Sequence, residues 1–211
     1  MASDVIPRKR LTREESRAQT RERLLDAALE VFVKDGIEAP SIEDLAETAG
    51  YSRGAFYSNF ESKDDLLCAV LEREIQRDTE QFDAIVSAPI PVDEIVNKLR
   101  ESYVMMAQDD AHCAFLLGLQ LYSLRNAAIR PKVAELMRKK REHVIDQARR
   151  VYAAMGKEPP GSIETVSFGL IAIAQGLCVT RLLDPDAVSA ELLPKSLETL
   201  FNQVTGSLAI S

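Results

Sequence analysis

No run of 18 or more apolar residues occurs in the 211-residue sequence, which argues against a membrane span. The basic opening, MASDVIPRKRLTREES, is followed by no apolar stretch, so it does not read as a secretory signal. A cytoplasmic location is therefore expected. Cysteine is scarce. Cys68, Cys113 and Cys178 are odd in number and widely spaced, which does not suggest a disulfide framework; small buried hydrophobes are expected, with a redox sensor as the alternative. The two histidines, His112 and His143, have no metal-ligand spacing with any cysteine, and His112 and Cys113 are neighbours that point to different helix faces. No metal site is expected. There is no glycine-rich phosphate loop, no Gly-x-Ser-x-Gly and no His-Glu-x-x-His, so neither an enzyme nor a cofactor is expected. The acid pairs Asp64-Asp65 and Asp109-Asp110 sit at helix starts, where the helix dipole favours negative charge. Alternating strand patterns, hairpin turn dipeptides and internal repeats are also missing.

What remains is helical periodicity almost throughout, and the fold expected is all-α with about nine helices. Apolar residues make up 46% and charged residues 28%, the balance of a globular protein. The net charge of −7 at first argues against nucleic acid, but its distribution is uneven. Residues 1–25 hold seven Arg or Lys and four acids, 7 − 4 = +3, which leaves −10 for the rest. A basic end on an acidic body can bind DNA, because only the docked face must be positive. A solvated tail would show the same pattern.

Local signals divide the chain. Thr12 and Glu15 form a capping box, each side chain satisfying the other's backbone N–H, ahead of a helix with Leu25, Ala28, Leu29 and Phe32 on one face. Gly36 stops it, as a left-handed residue after the last turn. Ser41, Ser52 and Ser62 then cap three successive helices, the last a long one running to about residue 86. APIPV breaks it. Longer helices follow at about 92–108, 111–126, 131–155, 163–183 and 189–207, with loops at GKEPPGS and DPDA. Pro131 suits a first turn, and at Pro194 the last helix kinks or starts.

Residues 41–60, SIEDLAETAGYSRGAFYSNF, read as a helix-turn-helix. Ile42, Leu45 and Ala46 give the first helix an apolar face, Ala49 permits close approach, and Gly50 makes the turn. Ser52 caps a second helix too short to be stable alone, which packing must therefore hold. Phe56 and Phe60, four apart, face inward. Arg53, Gly54, Ala55, Tyr57, Ser58 and Asn59 are left facing outward, the arrangement of a recognition helix.

The block from Arg21 to Leu67 closely resembles the TetR family of repressors. The first helix, the Ala-Gly-aromatic-Ser turn, Gly54-Ala55-Phe56-Tyr57 and the Phe60-x-Ser62-Lys63 exit match in order and spacing. The resemblance covers roughly residues 15–70; beyond that it lies only in helical content, length and two long apolar final helices. Ser41 stands where Thr is commoner, and Ser58-Asn59 where larger aromatic or His residues are common.

The resemblance implies a flexible basic arm (1–14), a three-helix DNA-binding domain (15–62) and a ligand-binding and dimerisation domain (63–211). It implies a ligand-responsive regulator, in the family's manner a repressor, that binds a pseudo-palindromic operator as a homodimer and is released by a small apolar or amphipathic effector. The alternative is a helical small-molecule-binding or interaction protein whose helix-turn-helix does not act on DNA. By position, Ser41 and Lys63 resemble phosphate contacts, as does Tyr57 through its hydroxyl, with Ser58 and Asn59 as weaker candidates. Arg53, Gly54 and Ala55, following the Ser52 cap, resemble base-facing positions. Packing for Tyr57, solvent for Lys63 and a phosphate rather than a base for Arg53 remain open. Lys9 and Arg10 can form a minor-groove arm or a disordered tail.

The family's effector site falls on large apolar groups at helical spacing, Leu99, Tyr103, Met106, Phe115, Leu119 and Tyr122, together with Gln175; an ordinary core would look the same. The helix at 163–183 is apolar on nearly all sides and rich in Gly and Ala, which calls for partners on two sides. With the last helix it resembles the family's four-helix dimer interface, through Phe168, Ala172, Gln175, Val179, Leu197, Leu200, Phe201 and Val204. Burial within one subunit is the alternative. RKKRE (138–142) reads as a solvated helix face.

Overall fold

A computed structural model describes residues 12–188 and 191–205, with side chains to residue 203. Among these, nine helices and no strand are present: α1 (Arg13–Asp35), α2 (Ile42–Thr48), α3 (Arg53–Tyr57), α4 (Lys63–Val86), α5 (Val92–Gln108), α6 (Asp110–Arg125), α7 (Arg130–Met155), α8 (Ile163–Leu183) and α9 (Leu192–Thr205). The expected all-α class holds. Lys9 and Arg10 lie outside the described residues. The chain forms two compact units, residues 1–70 and 71–211.

Local chemistry accounts for the first unit. Thr12 and Glu15 cap α1 reciprocally, at 3.1 Å and 2.7 Å. Ser41 and Asp44 do the same for α2. Gly50, at φ +77°, lets the N–H of Tyr51 reach back to the Ala46 carbonyl (2.8 Å) and its own N–H to Glu47 (2.9 Å). That pair of bonds satisfies the last carbonyls of α2 and turns the chain toward α3. Gly36 also has positive φ (+78°), but with ψ 173°. It is extended rather than left-handed helical, a region open essentially to glycine alone. Leu24, Leu25, Ala28 and Phe32 of α1 are buried, as are Leu45, Phe56, Phe60, Leu66 and Leu67. The rings of Phe56 and Phe60 lie 5.8 Å apart.

In the second unit α5, α7, α8 and α9 surround a core of Phe82, Ile95, Leu99, Tyr103, Val151, Leu193, Leu197 and Phe201. Tyr103 sits between Phe82 (4.9 Å) and Phe201 (5.6 Å), and burial pushes its hydroxyl up to about 12. Pro194 falls in the first turn of α9, where its missing N–H leaves no bond unmade. One sequence expectation fails here. Cys113 and Cys178 are not isolated small hydrophobes: they form a disulfide across a sequence separation of 65 residues, with Cα atoms 5.9 Å apart. The spacing hid this, because it is α6 packing on α8 that brings the two together. By length and composition α8 is apolar enough to cross a membrane, but Ser, Thr, Gly and Gln interrupt the run, as the sequence showed. Its contacts on α5, α6, α7 and α9 occupy part of that surface.

Candidate nucleic-acid interface and ligand cavity

α3 is five residues long and owes its place to its neighbours. Ser52 accepts from the Ala55 N–H (3.3 Å), and Phe56 is fully buried. From α1, the Arg17 guanidinium donates to the Ser58 carbonyl (2.9 Å) and that of Arg21 to the Asn59 carbonyl (3.2 Å). Arg21 also lies 4.3 Å over the Phe60 ring. Two cations thus sit on the carbonyl end of the recognition helix, where the dipole favours positive charge. Sequence reading counted these arginines only as charge; their spacing of one turn along α1 was the available signal.

The outward face is smaller than expected. Ser52, Arg53, Gly54, Tyr57 and Ser58 are exposed. Ala55 and Asn59 are half-buried, a correction that follows from their position beside Phe56 and Phe60. Asn59 is further held by its amide, which donates to the Ala55 carbonyl (2.8 Å). Arg53 projects from the first turn, pairs with Glu43 of α2, and lies 5.5 Å over the Tyr57 ring. Tyr57 is 47% exposed. An exposed ion pair contributes little, on the order of 0–1 kcal/mol, so Arg53 can exchange Glu43 for a stronger anion. A Cβ on Gly54 would meet nothing nearer than the Ser52 hydroxyl at 3.7 Å, so backbone can approach closely there.

Two expected phosphate contacts are occupied internally. The Ser41 hydroxyl both accepts from the Asp44 N–H and donates to its carboxylate (2.7 Å). The Lys63 ammonium donates to the carbonyls of Glu38 (3.0 Å) and Pro40 (2.9 Å), closing the α1–α2 loop onto the start of α4. Burial pushes its pKa down, with Asp64 and Glu38 opposing.

A cavity with about 110 Å³ of free volume opens in the second unit, many times what one water needs. Its wall is mainly apolar: Phe82 of α4, Met106 of α5, Leu116 and Leu117 of α6, Val144 of α7, Ile171 and Val179 of α8. Of the seven pocket residues expected, Tyr103, Met106 and Gln175 line it. Leu99, Phe115, Leu119 and Tyr122 do not. On α6 the lining residues are 112, 113, 116, 117 and 120, whereas Phe115 and Leu119 are buried on another face. α6 is apolar around its circumference, so periodicity could not choose between the two.

Polar groups also border the cavity. Asp78 of α4 and Lys140 of α7 pair at 2.6 Å, and Gln175 donates to Gln120 (2.7 Å). Asp83 collects Arg150, Gln147 (3.2 Å) and His143 (3.0 Å). Burial opposes ionisation of Asp83, but the bonds from Arg150 and Gln147 hold its pKa below the ordinary value. The His112 imidazole borders the same space, and burial lowers its pKa, which leaves it neutral near pH 7. Neutral imidazole offers one donor and one acceptor.

The expected interface residues separate into two groups. Phe168, Ala172 and Gln175 are exposed on α8, with Ile173 beside them. Val179 lines the cavity. Leu197 and Phe201 are 1% and 6% exposed in their own core, and Leu200 is half-buried. The reason is that α9 turns its Leu193-Leu197-Phe201 stripe onto α5. The Val204 side chain lies outside the described residues.

Comparison with known proteins sets this geometry in context. The family of bacterial regulatory proteins named tetR matches residues 24–70. The HTH-type transcriptional regulator SrpR of Pseudomonas putida is 47% identical over 53 residues, which is 25% of this chain and 25% of that protein. The chain thus aligns with a quarter of that relative's length. Salmonella enterica GusR superposes with TM-score 0.70 and 23% identity, over 92% of this chain and 98% of that one. Transcriptional regulator FadR from Bacillus subtilis, in complex with stearoyl-CoA, gives 0.71 and 15%, over 89% and 99%. Likeness at such identities shows the fold.

Proposed function

We propose that this chain, whose residues 24–70 match the tetR family of bacterial regulatory proteins, is a ligand-responsive transcriptional regulator. Its two-fold dimer binds a pseudo-palindromic operator and releases it when a small amphipathic molecule enters the second unit. The observation that carries this reading is the outward pair Arg53 and Tyr57 on a short helix anchored by buried Phe56 and Phe60. Arg53 can take a guanine edge bidentately, which typically gives about 1–3 kcal/mol of discrimination. Tyr57 and Ser58 reach phosphate, and Gly54 lets the backbone come close to a base. The exposed Phe168-Ala172-Ile173 face of α8 pairs with a second copy, and two recognition helices then lie roughly 34–36 Å apart, one turn of DNA.

The effector of this reading has an apolar body for the Phe82, Leu117 and Ile171 walls and one polar group for His112 and the Asp78–Lys140 pair. α4 begins at Lys63 and carries Asp78, Thr79 and Phe82 to the cavity. A molecule that displaces those later turns shifts the helix on which the DNA-binding unit is built. Release follows only if the effector binds the DNA-incompetent state more tightly. Repression is the mode favoured by the tetR resemblance.

The test is a footprint on the DNA upstream of the protein's own coding sequence. The expected result is two protected segments about one helical turn apart, with affinity that falls steeply as salt rises. No retardation of any such fragment at low salt, by a folded protein that still binds apolar ligands, would favour the reading in which the motif no longer acts on DNA.

A further inference from the structure

Effector binding does not explain the sulfur chemistry of the cavity wall. Cys113 of α6 and Cys178 of α8 both border the cavity and are joined there. Cys113 is buried at 2% exposure, its sulfur 3.9 Å from the carbonyls of Met106 and Ala107, whereas Cys178 is half-buried. Cys68, the third cysteine, is a buried thiol in the other unit. A protein that acts on DNA works among thiol reductants, where a disulfide is usually transient or redox-sensing rather than structural. That step rests on the regulator reading above.

We propose that Cys113 and Cys178 are a hydroperoxide-reactive dithiol, a covalent second input to the effector cavity. Cys178, the more exposed of the two residues, is the attacking group. Its thiolate attacks one peroxide oxygen: the S–O bond forms, the O–O bond breaks, and the departing oxygen takes a proton to leave as water or an alcohol. The Cys113 sulfur then attacks the resulting sulfenic acid. An S–S bond forms, the S–O bond breaks, and hydroxide leaves with the Cys113 proton as water. In sum, two thiols and one hydroperoxide give one disulfide, one alcohol or water, and one water; two electrons pass from the sulfurs to the O–O bond. Thiol exchange with glutathione or a dithiol reverses it.

The junction shows why the bond matters. Arg181 of α8 donates twice to the Ala107 carbonyl (3.2 and 3.0 Å) and pairs with Asp110 at 2.7 Å. α8 is thus held to the α5–α6 corner by the Arg181 bonds and ion pair, by the Gln175–Gln120 bond and by one covalent link, and reduction leaves the non-covalent contacts alone. Since α8 also carries the exposed Phe168-Ala172-Ile173 face, its tethering feeds into the pairing of subunits as well as into the cavity.

The test uses full-length protein, reduced and freed of reductant, then treated with hydrogen peroxide or cumene hydroperoxide. Either oxidant is expected to remove two hydrogens from the intact mass, to link the Cys113 and Cys178 peptides, and to raise the melting temperature by about 10 °C, because the bond closes a long loop. A dithiol should undo all three, and Cys178→Ser should show none while melting like the reduced protein. Operator DNA is expected to bind oxidised and reduced protein with affinities at least about fivefold apart, a coupling of the ordinary allosteric size. Cys113 and Cys178 both still alkylatable after both oxidants would overturn the proposal, as would disulfides formed only between molecules, or equal DNA affinity in the two states. If neither state binds DNA, the regulator reading falls, while peptide mapping and melting still decide the dithiol chemistry.

Discussion

Replacing Lys63 by Met tests whether this cation is structural or reads phosphate. Its ammonium donates to two carbonyls of the α1–α2 loop, at 3.0 and 2.9 Å, and partial burial lowers its pKa. Methionine keeps most of the stem and removes the donors. A bond from a charged donor contributes about 1.5–3 kcal/mol when shielded from water. Lys63 is only half-buried, so about 1 kcal/mol per bond is the better figure, or ~2 kcal/mol together. With a slope of about 1–2 kcal/mol/M for a small unit, the urea midpoint of the helix-turn-helix unit should fall by about 1 M or more. DNA binding should weaken only as far as that unit is unfolded, and the slope of log K against log salt should stay the same. The reasoning is refuted if the urea midpoint does not move and the salt slope becomes shallower by about 0.9, the signature of one lost phosphate contact.

Other perturbations address separate parts of the account. Phe168→Asp places a charge on the exposed face of α8 and should give a folded monomer by light scattering; a dimer of unchanged affinity would move the interface elsewhere. His112 has a depressed pKa, so the unfolded chain takes up a proton first, and folding stability should decline as pH falls below the ordinary value of 6.5. His112→Phe should remove that slope, measured as urea midpoints from pH 7.5 down to about 5. Asp44 likewise has its pKa lowered by the Ser41 hydroxyl and N–H. The α2 cap is therefore intact above the ordinary value of 3.8 and lost as pH falls through the lower folded value; Asp44→Asn should flatten the acid limb of the melt below that point.

The features legible in sequence were those made by neighbours in sequence. Thr12, Ser41 and Ser52 cap their helices because a cap needs only a side chain and an N–H two or three residues on. Gly50 marked the turn because the closing bonds span only three to five residues. Phe56 and Phe60 marked the buried side of α3. What escaped depends on distant partners. Arg17 and Arg21 meet carbonyls about 40 residues away, and Lys63 meets Glu38 and Pro40 across the loop. The Cys113–Cys178 bond needed the α6–α8 packing. α6 and α8 are apolar on most sides, so their patterns could not say which stripe faces a core, a cavity or a second subunit; α9, by contrast, turned the stripe expected at an interface into its own core.

The central claim is that the Arg53–Tyr57 side of α3 enters a DNA groove. Fluorescence anisotropy of an upstream fragment, titrated with wild type and with the Arg53→Ala, Tyr57→Ala double variant across a salt series, measures it directly. Expected is tight, salt-steep binding by wild type and a loss of tenfold or more in the variant, with an unchanged melting curve. Equal affinity of the two proteins, or binding indifferent to salt, would contradict it.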